Sequence, residues 1–217
     1  MAQFIQEIYE GILIGDNMLV PKKIEDALHA GLPPSEILND GMISAITEVG
    51  RRFEIGEYFV PEMLIAARSM QTGMRLLKPY LAQANIKSIG RVAIGTVRGD
   101  LHDLGKNLVA MMLEGAGFEI KDLGTDVNPE KFLQSVRADG VNIIALSALL
   151  TTTMPMMKSV VEALETAGLR AKVKVISGGA PVTEAYAKQI GADGYAADAS
   201  QAVGMAKSLA VEITSSS

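Results

Sequence analysis

From Gln3 to about Ala84 apolar positions recur at helical spacing, and the pattern is interrupted at Pro21, at the Pro33-Pro34 pair and between Gly56 and Pro61. Four or five helices are expected. Ser35 follows Pro34, and Ile37, Leu38, Met42, Ile43, Ile46, Val49 and Phe53 then form the stripe of one amphipathic helix. Its partner should run from Pro61 to about Leu81, with Met63, Met70 and Met74 at helical spacing as flexible core filling. Near residue 88 the period changes. The short apolar runs RVAIGT, FEIKDLG, NIIALS, KVKVISGG and ADGYAA alternate with helical stretches, which predicts a five-stranded parallel sheet covered on both faces, an α/β doubly wound arrangement. The chain thus divides into a helical domain over 1–87 and an α/β domain over 88–217. A short polar linker near residues 83 to 90 is a candidate hinge, and the tail ITSSS should fray.

Composition narrows the chemistry. With 217 residues, 48% of them hydrophobic, the chain can bury one sizeable core or two small ones. It has no cysteine, which excludes disulfides and thiolate chemistry and suits a reducing, cytoplasmic setting. The start MAQFIQEIYE carries glutamates where a secretory signal would be basic and then apolar. The longest uncharged stretch, VNIIALSALLTTTMPMM, is broken by Asn142, by hydroxyls and by Pro155, and makes a poor membrane span. A net charge of −5, no Lys/Arg cluster and no tryptophan leave no footprint for nucleic acid. Small molecules and proteins are the expected partners.

The stretch TVRGDLHDLGKNLV places His102, one of two histidines, in the loop after the first strand. In an open parallel sheet ligands bind outside the carboxyl ends of the strands, where the strand order reverses. Asp100, two residues before His102, can turn its carboxylate onto Nδ1 and leave Nε2 free, the arrangement that orients a metal-ligating histidine. A metal site built by protein alone needs three or four ligands. His29 lies far off in the helical half, and Asp103 and Asp122 are a scattered pair. One oriented imidazole suffices only where the metal arrives with most of its coordination filled, as in a tetrapyrrole-like cofactor. Gly95 and Gly99 read equally well as turn residues or as part of a site, while helix capping is a sufficient explanation of Thr151 and Thr152.

GDLHDLGKN, with Asp100, His102 and Gly105, resembles the D-x-H-x-x-G signature of cobalamin-binding domains of the methionine synthase and corrinoid methyltransferase class. Residues 106–146 separate it from SAL at Ser147 to Leu149, and residues 150–177 separate that from Gly178-Gly179, in the order and spacing of the family. EVGRRFEIGEYFVPEMLIAARSM resembles the helical cap that precedes such domains, so the likeness spans nearly the whole chain. With no attached catalytic barrel, the chain is most similar to stand-alone corrinoid proteins of anaerobic methyl-transfer systems.

The resemblance implies a helical cap followed by a flavodoxin-like, Rossmann-like cobalamin domain, with cobalamin as cofactor (a cobalt corrinoid, methylcobalamin when loaded). His102 matches the cobalt axial ligand that replaces the cofactor's own base, a base-off, His-on state. Asp100 matches the carboxylate bonded to that imidazole, and Thr153, six residues beyond Ser147, stands where methionine synthase has the relay serine. Gly105, Gly178 and Gly179 match the lining of the nucleotide slot, with the Ser147 hydroxyl and the Leu149 side chain as further walls. Gly99, Leu101, Asp103 and Thr151 complete the implied cofactor-binding set. Phe53 and Val60 match the cap residues over the upper corrin face. The implied role is a methyl carrier between a substrate-specific methyltransferase and a second methyltransferase with a folate or thiol acceptor, served by a reductive activation protein. The chain itself would be a non-catalytic subunit. A cobalamin-dependent sensor is the alternative and would need a DNA-binding segment ahead of the bundle, where only about thirty residues precede the cap-like helices, with no basic recognition helix. A carbon-skeleton mutase subunit would lack such a cap, and a flavodoxin-like response regulator would carry paired acidic residues on its first strand.

Overall fold

The polar and proline breaks of the amino-terminal pattern become helix ends in the computed structural model, which describes residues 2–84 and 88–215. Helices α1 (Ala2–Leu13), α2 (Leu19–His29), α3 (Pro34–Glu36), α4 (Ser44–Glu54) and α5 (Val60–Gln83) follow in order, and a π-helical segment, Ile37–Ile43, joins α3 to α4. Pro33 and Pro34 start the third run, proline being tolerated where the backbone N–H has no helical partner. Glu62 accepts from the Phe59 N–H at the start of α5 (3.0 Å), half of a capping box. Ile37, Met42, Ile46, Val49, Met63, Met70 and Leu77 are buried, so the sequence stripe is the helical core, while Met74 is half-buried.

The second half alternates strand and helix: β1 (Arg91–Thr96), α6 (Leu104–Gly115), β2 (Glu119–Asp122), α7 (Pro129–Asp139), β3 (Ile143–Ser147), α8 (Pro155–Thr166), β4 (Lys174–Gly178), α9 (Glu184–Gln189), β5 (Gly194–Ala196) and α10 (Ala199–Ser215). All pairings are parallel, in the order β2-β1-β3-β4-β5. Alternation of side chains sends Ala93, Ile144, Leu146 and Val175 into a cluster with Phe132 and Leu133 of α7 and Met157, Val160 and Leu164 of α8. Ile94, Ile143 and Ile176 are buried on the other face. There Met205 of α10 crowds Gly194, the register partner of Ile176. The sheet is therefore doubly wound. Asn128 caps α7 by accepting from the Lys131 N–H, and Gly140 ends that helix in the left-handed region at φ 64°.

The chain forms two compact units, Met1–Ser88 with Glu114–Gly117, and Ile89–Leu113 with Phe118–Ser217. Part of the expected linker, residues 85–87, lies outside the described residues. One local expectation is corrected. Gly95 is no turn residue: it sits inside β1, where a Cβ would come within 2.9 Å of Phe132 Cζ, so its lack of a side chain makes room for that ring. Of the tail, α10 continues to Ser215; residues 216 and 217 lie outside the described residues.

Candidate cofactor-ligand site

The strand order reverses between β1 and β3, and the loops that leave their carboxyl ends set out from that reversal. The first loop carries Asp100, which is completely buried. Its Oδ1 accepts from the His102 backbone N–H (3.1 Å) and lies 2.8 Å from His102 Nδ1. Its Oδ2 accepts from the Leu149 N–H (2.7 Å), the Leu150 N–H (3.2 Å) and the Thr153 hydroxyl (2.8 Å), all on the loop after β3. Burial by itself pushes the Asp100 carboxyl up, but the Leu149 amide, the His102 ring and amide, and the Thr153 hydroxyl outweigh it and hold the carboxyl well below the usual range. Asp100 is thus a carboxylate that only accepts, and the shared proton belongs to His102 Nδ1. Nε2 is the ring nitrogen turned away from that carboxylate, on a side chain that is 52% exposed.

His102 is also held through its backbone. The hydroxyl of Thr96, the buried last residue of β1, donates to the His102 carbonyl (2.8 Å). The imidazole is therefore fixed from its amide, its carbonyl and its ring, which leaves Nε2 as the atom it can offer to a metal. Among the described residues no group of three or more His, Asp or Glu side chains could hold a metal ion. Asp122 is engaged by the Lys106 ammonium and Asp103 accepts from the Asn107 amide.

Several other sequence candidates gather at the same end of the sheet. Leu101 and Leu149 are exposed, at 72% and 44%, beside the histidine in sequence and beside the Asp100 carboxylate respectively. Ser147 ends β3 opposite Thr96 and Gly178. Gly99 has φ 83° and its N–H donates to Asp126 Oδ1 (2.7 Å), so it is a left-handed turn residue. Gly105 opens into free space, with nothing within 4 Å of the point a Cβ would occupy. Gly178 and Gly179 have a reason in the fold itself, since side chains there would meet the carbonyl oxygens of Ala196 and Ala148. Thr151 and Thr152 do not cap the next helix: α8 begins at Pro155, and its N-cap position is Met154, with no side-chain capping bond. The loop spends that length bringing the Leu149 and Leu150 amides and Thr153 to Asp100. Phe53, half-buried in α4, and Val60, 40% exposed at the start of α5, lie in the first unit.

Sequence reasoning misses two groups. The Leu149 and Leu150 donors are backbone amides, which no residue type announces. Thr96 reads only as strand; a hydroxyl at a strand's last position before a glycine-studded loop is its one available signal.

The B12 binding domain family matches residues 90–204, and a second family of B12 binding domains matches residues 4–78. The chain belongs to the B12-binding corrinoid proteins. Its corrinoid-protein relatives include dimethylamine corrinoid protein 3 of Methanosarcina acetivorans, 41% identical over 94% of this chain and 96% of that one. Trimethylamine corrinoid protein 1 of the same organism is 42% identical over 93% and 94%. Among solved structures, a chain of the methanol:cobalamin methyltransferase complex of Methanosarcina barkeri superposes with a TM-score of 0.85 at 29% identity, over 96% of this chain and 80% of that one. A cobalamin-binding protein from Desulfitobacterium hafniense gives 0.79 at 31% identity, over 94% and 98%. Such corrinoid proteins carry cobalamin, and the donor set here fits a metal that brings its own equatorial ligands: one free imidazole nitrogen, no competing cluster among the described residues and open space at Gly105.

Proposed function

We propose that this corrinoid protein is a methyl carrier that holds cobalamin base-off through His102 and passes a methyl group between two methyltransferases. When bound, the corrinoid supplies the methyl-accepting and methyl-donating cobalt. The chain's part is to bind, to orient the axial nitrogen and to tune its donor strength. The observation that carries the reading is the Asp100 carboxylate, buried and bonded at once to His102 Nδ1 and the Thr153 hydroxyl. A carboxylate behind Nδ1 makes the imidazole a stronger donor and fixes its tautomer. The open backbone at Gly105, with Ser147, Leu149, Gly178 and Gly179, supports a nucleotide slot beside it, and Phe53 and Val60 remain the cap candidates.

A substrate-specific methyltransferase is the partner that loads the carrier, as the methyltransferase complex among its structural neighbours supports. A second methyltransferase with a folate or thiol acceptor and a reductive activation protein complete the proposed system. No helix among the described residues is long and apolar enough to cross a membrane. Relatives named for dimethylamine and for trimethylamine match at 41% and 42%, so methylamines are the donors to try first. Reconstitution should give one corrinoid per chain, and addition of a methylamine methyltransferase with its labelled amine should place label on the reconstituted chain. Label that reaches the chain equally without corrinoid would refute the carrier role.

A further inference from the structure

Among the described residues Asp126 is the one residue other than glycine with a positive φ, 52°. It lies in the loop between β2 and α7, two residues beyond Gly124, and neither the methyl-carrier reading nor the sequence motifs use it. Left-handed backbone is costly for most side chains, while aspartate and asparagine tolerate it because a short polar side chain can bond locally. Here that conformation serves two bonds. Asp126 Oδ1 accepts from the Gly99 N–H (2.7 Å), and the Asp126 N–H donates to the Asp100 carbonyl (3.0 Å). The two bonds grip the dipeptide Gly99-Asp100 at its first N–H and its last carbonyl. Between those atoms lies the Cα from which the Asp100 carboxylate departs. On either side the same loop is tied to β1, through the Thr96 N–H to the Gly124 carbonyl and the Val127 N–H to the Thr96 carbonyl. These two ties run from backbone to backbone, beyond the end of β2. The Asp126 pair is different, because it depends on one side chain and one strained φ.

We infer that Asp126 is a positioning residue for the Asp100–His102 pair. By fixing the backbone on both sides of the Asp100 Cα, it aims the carboxylate at Nδ1 and so decides where Nε2 points before any cofactor arrives. The inference rests on the reading of His102 as the cobalt ligand only for its consequence; the aiming itself belongs to the cofactor-free chain.

Three variants separate the two parts of the device. Asp126→Asn keeps both the acceptor and the tolerance of positive φ, Asp126→Gly keeps the conformation and loses the acceptor, and Asp126→Ala loses both. In the full-length protein without cofactor, imidazole 15N shifts report the His102 tautomer, and amide exchange at His102 and Leu149 reports the bonds to Asp100. The Asn variant should match the wild type, the Gly variant should be intermediate, and the Ala variant should show a mixed tautomer and exchange on the order of tenfold faster, the scale of the left-handed penalty. With cobalamin loaded, the share of cobalt(II) spectrum carrying a protein nitrogen should fall in the same order, with the far-ultraviolet circular dichroism unchanged. Wild-type tautomer and exchange in both the Gly and Ala variants would overturn the inference. So would an Asn variant as impaired as Ala, since charge and not geometry would then matter. A wild-type spectrum with no histidine nitrogen would instead overturn the ligand reading, and the cofactor-free shifts would still decide Asp126.

Discussion

Asp100 concentrates five hydrogen bonds on one buried carboxylate, and those bonds join the loops after β1 and β3. Removing its charge should therefore be felt at cobalt before it is felt in the fold. Asp100→Asn is expected to lower corrinoid affinity or methyl-transfer rate by about 10–100-fold, with Thr153→Val smaller and in the same direction. Cobalt(II) spectra and transfer rates check this, and unaltered values in Asp100→Asn would separate the relay from the ligand. Ser177 gives the opposite case. Its hydroxyl is fully buried and has no partner among the described residues, so Ser177→Ala should leave the urea midpoint unchanged or raise it, with a gain of up to about 1 kcal/mol. The contact of Asp100 with His102 and Thr153 is legible in the sequence because it joins side-chain types at fixed spacing. The Leu149 and Leu150 amides are not, because any residue carries an N–H, and Asp126 is not, because a backbone angle leaves no mark in a single sequence.

The strands and long helices are legible as elements, since each of the five runs is short, apolar and bounded by turn residues, and all five are found. What the periodicity does not show is how elements fit. Gly95 looks like punctuation in the sequence, yet it is the gap in β1 that admits Phe132, so Gly95→Ala should cost about 1–3 kcal/mol in urea unfolding. The threonine run looks like a cap, but Pro155 sets the start of α8 and the preceding residues are drawn to Asp100. The π-helical Ile37–Ile43 segment reads as ordinary helix because Leu38, Met42 and Ile46 also fit a spacing of four. Within α4, hydrogen bonds from Arg51 and Arg52 hold the Glu48 carboxyl down at about 2. A lowered folded pKa stabilises above the unfolded value, about 4.3, and that contribution is lost as pH falls towards 2. Because the arginines are partly exposed, the effect should stay below about 1 kcal/mol, and Glu48→Gln should flatten the stability profile between pH 4.5 and 2.

At the scale of the molecule, the change of period near residue 88 announces two units, and the parallel order β2-β1-β3-β4-β5 places the loop of His102 at the reversal of strand order. The order itself is not legible, because it is set by crossovers that single elements do not encode; the switch point can be expected only from the doubly wound class. The chain holds two histidines, His29 at the end of α2 in the first unit and His102 in the second, so one label can test the central claim. The measurement is the electron paramagnetic resonance spectrum of cobalt(II) corrinoid bound to protein grown with 15N-histidine. The account predicts that the nitrogen splitting changes from the three-line 14N pattern to the two-line 15N pattern, persists in His29→Ala and disappears in His102→Ala. A spectrum unmoved by the label would contradict it.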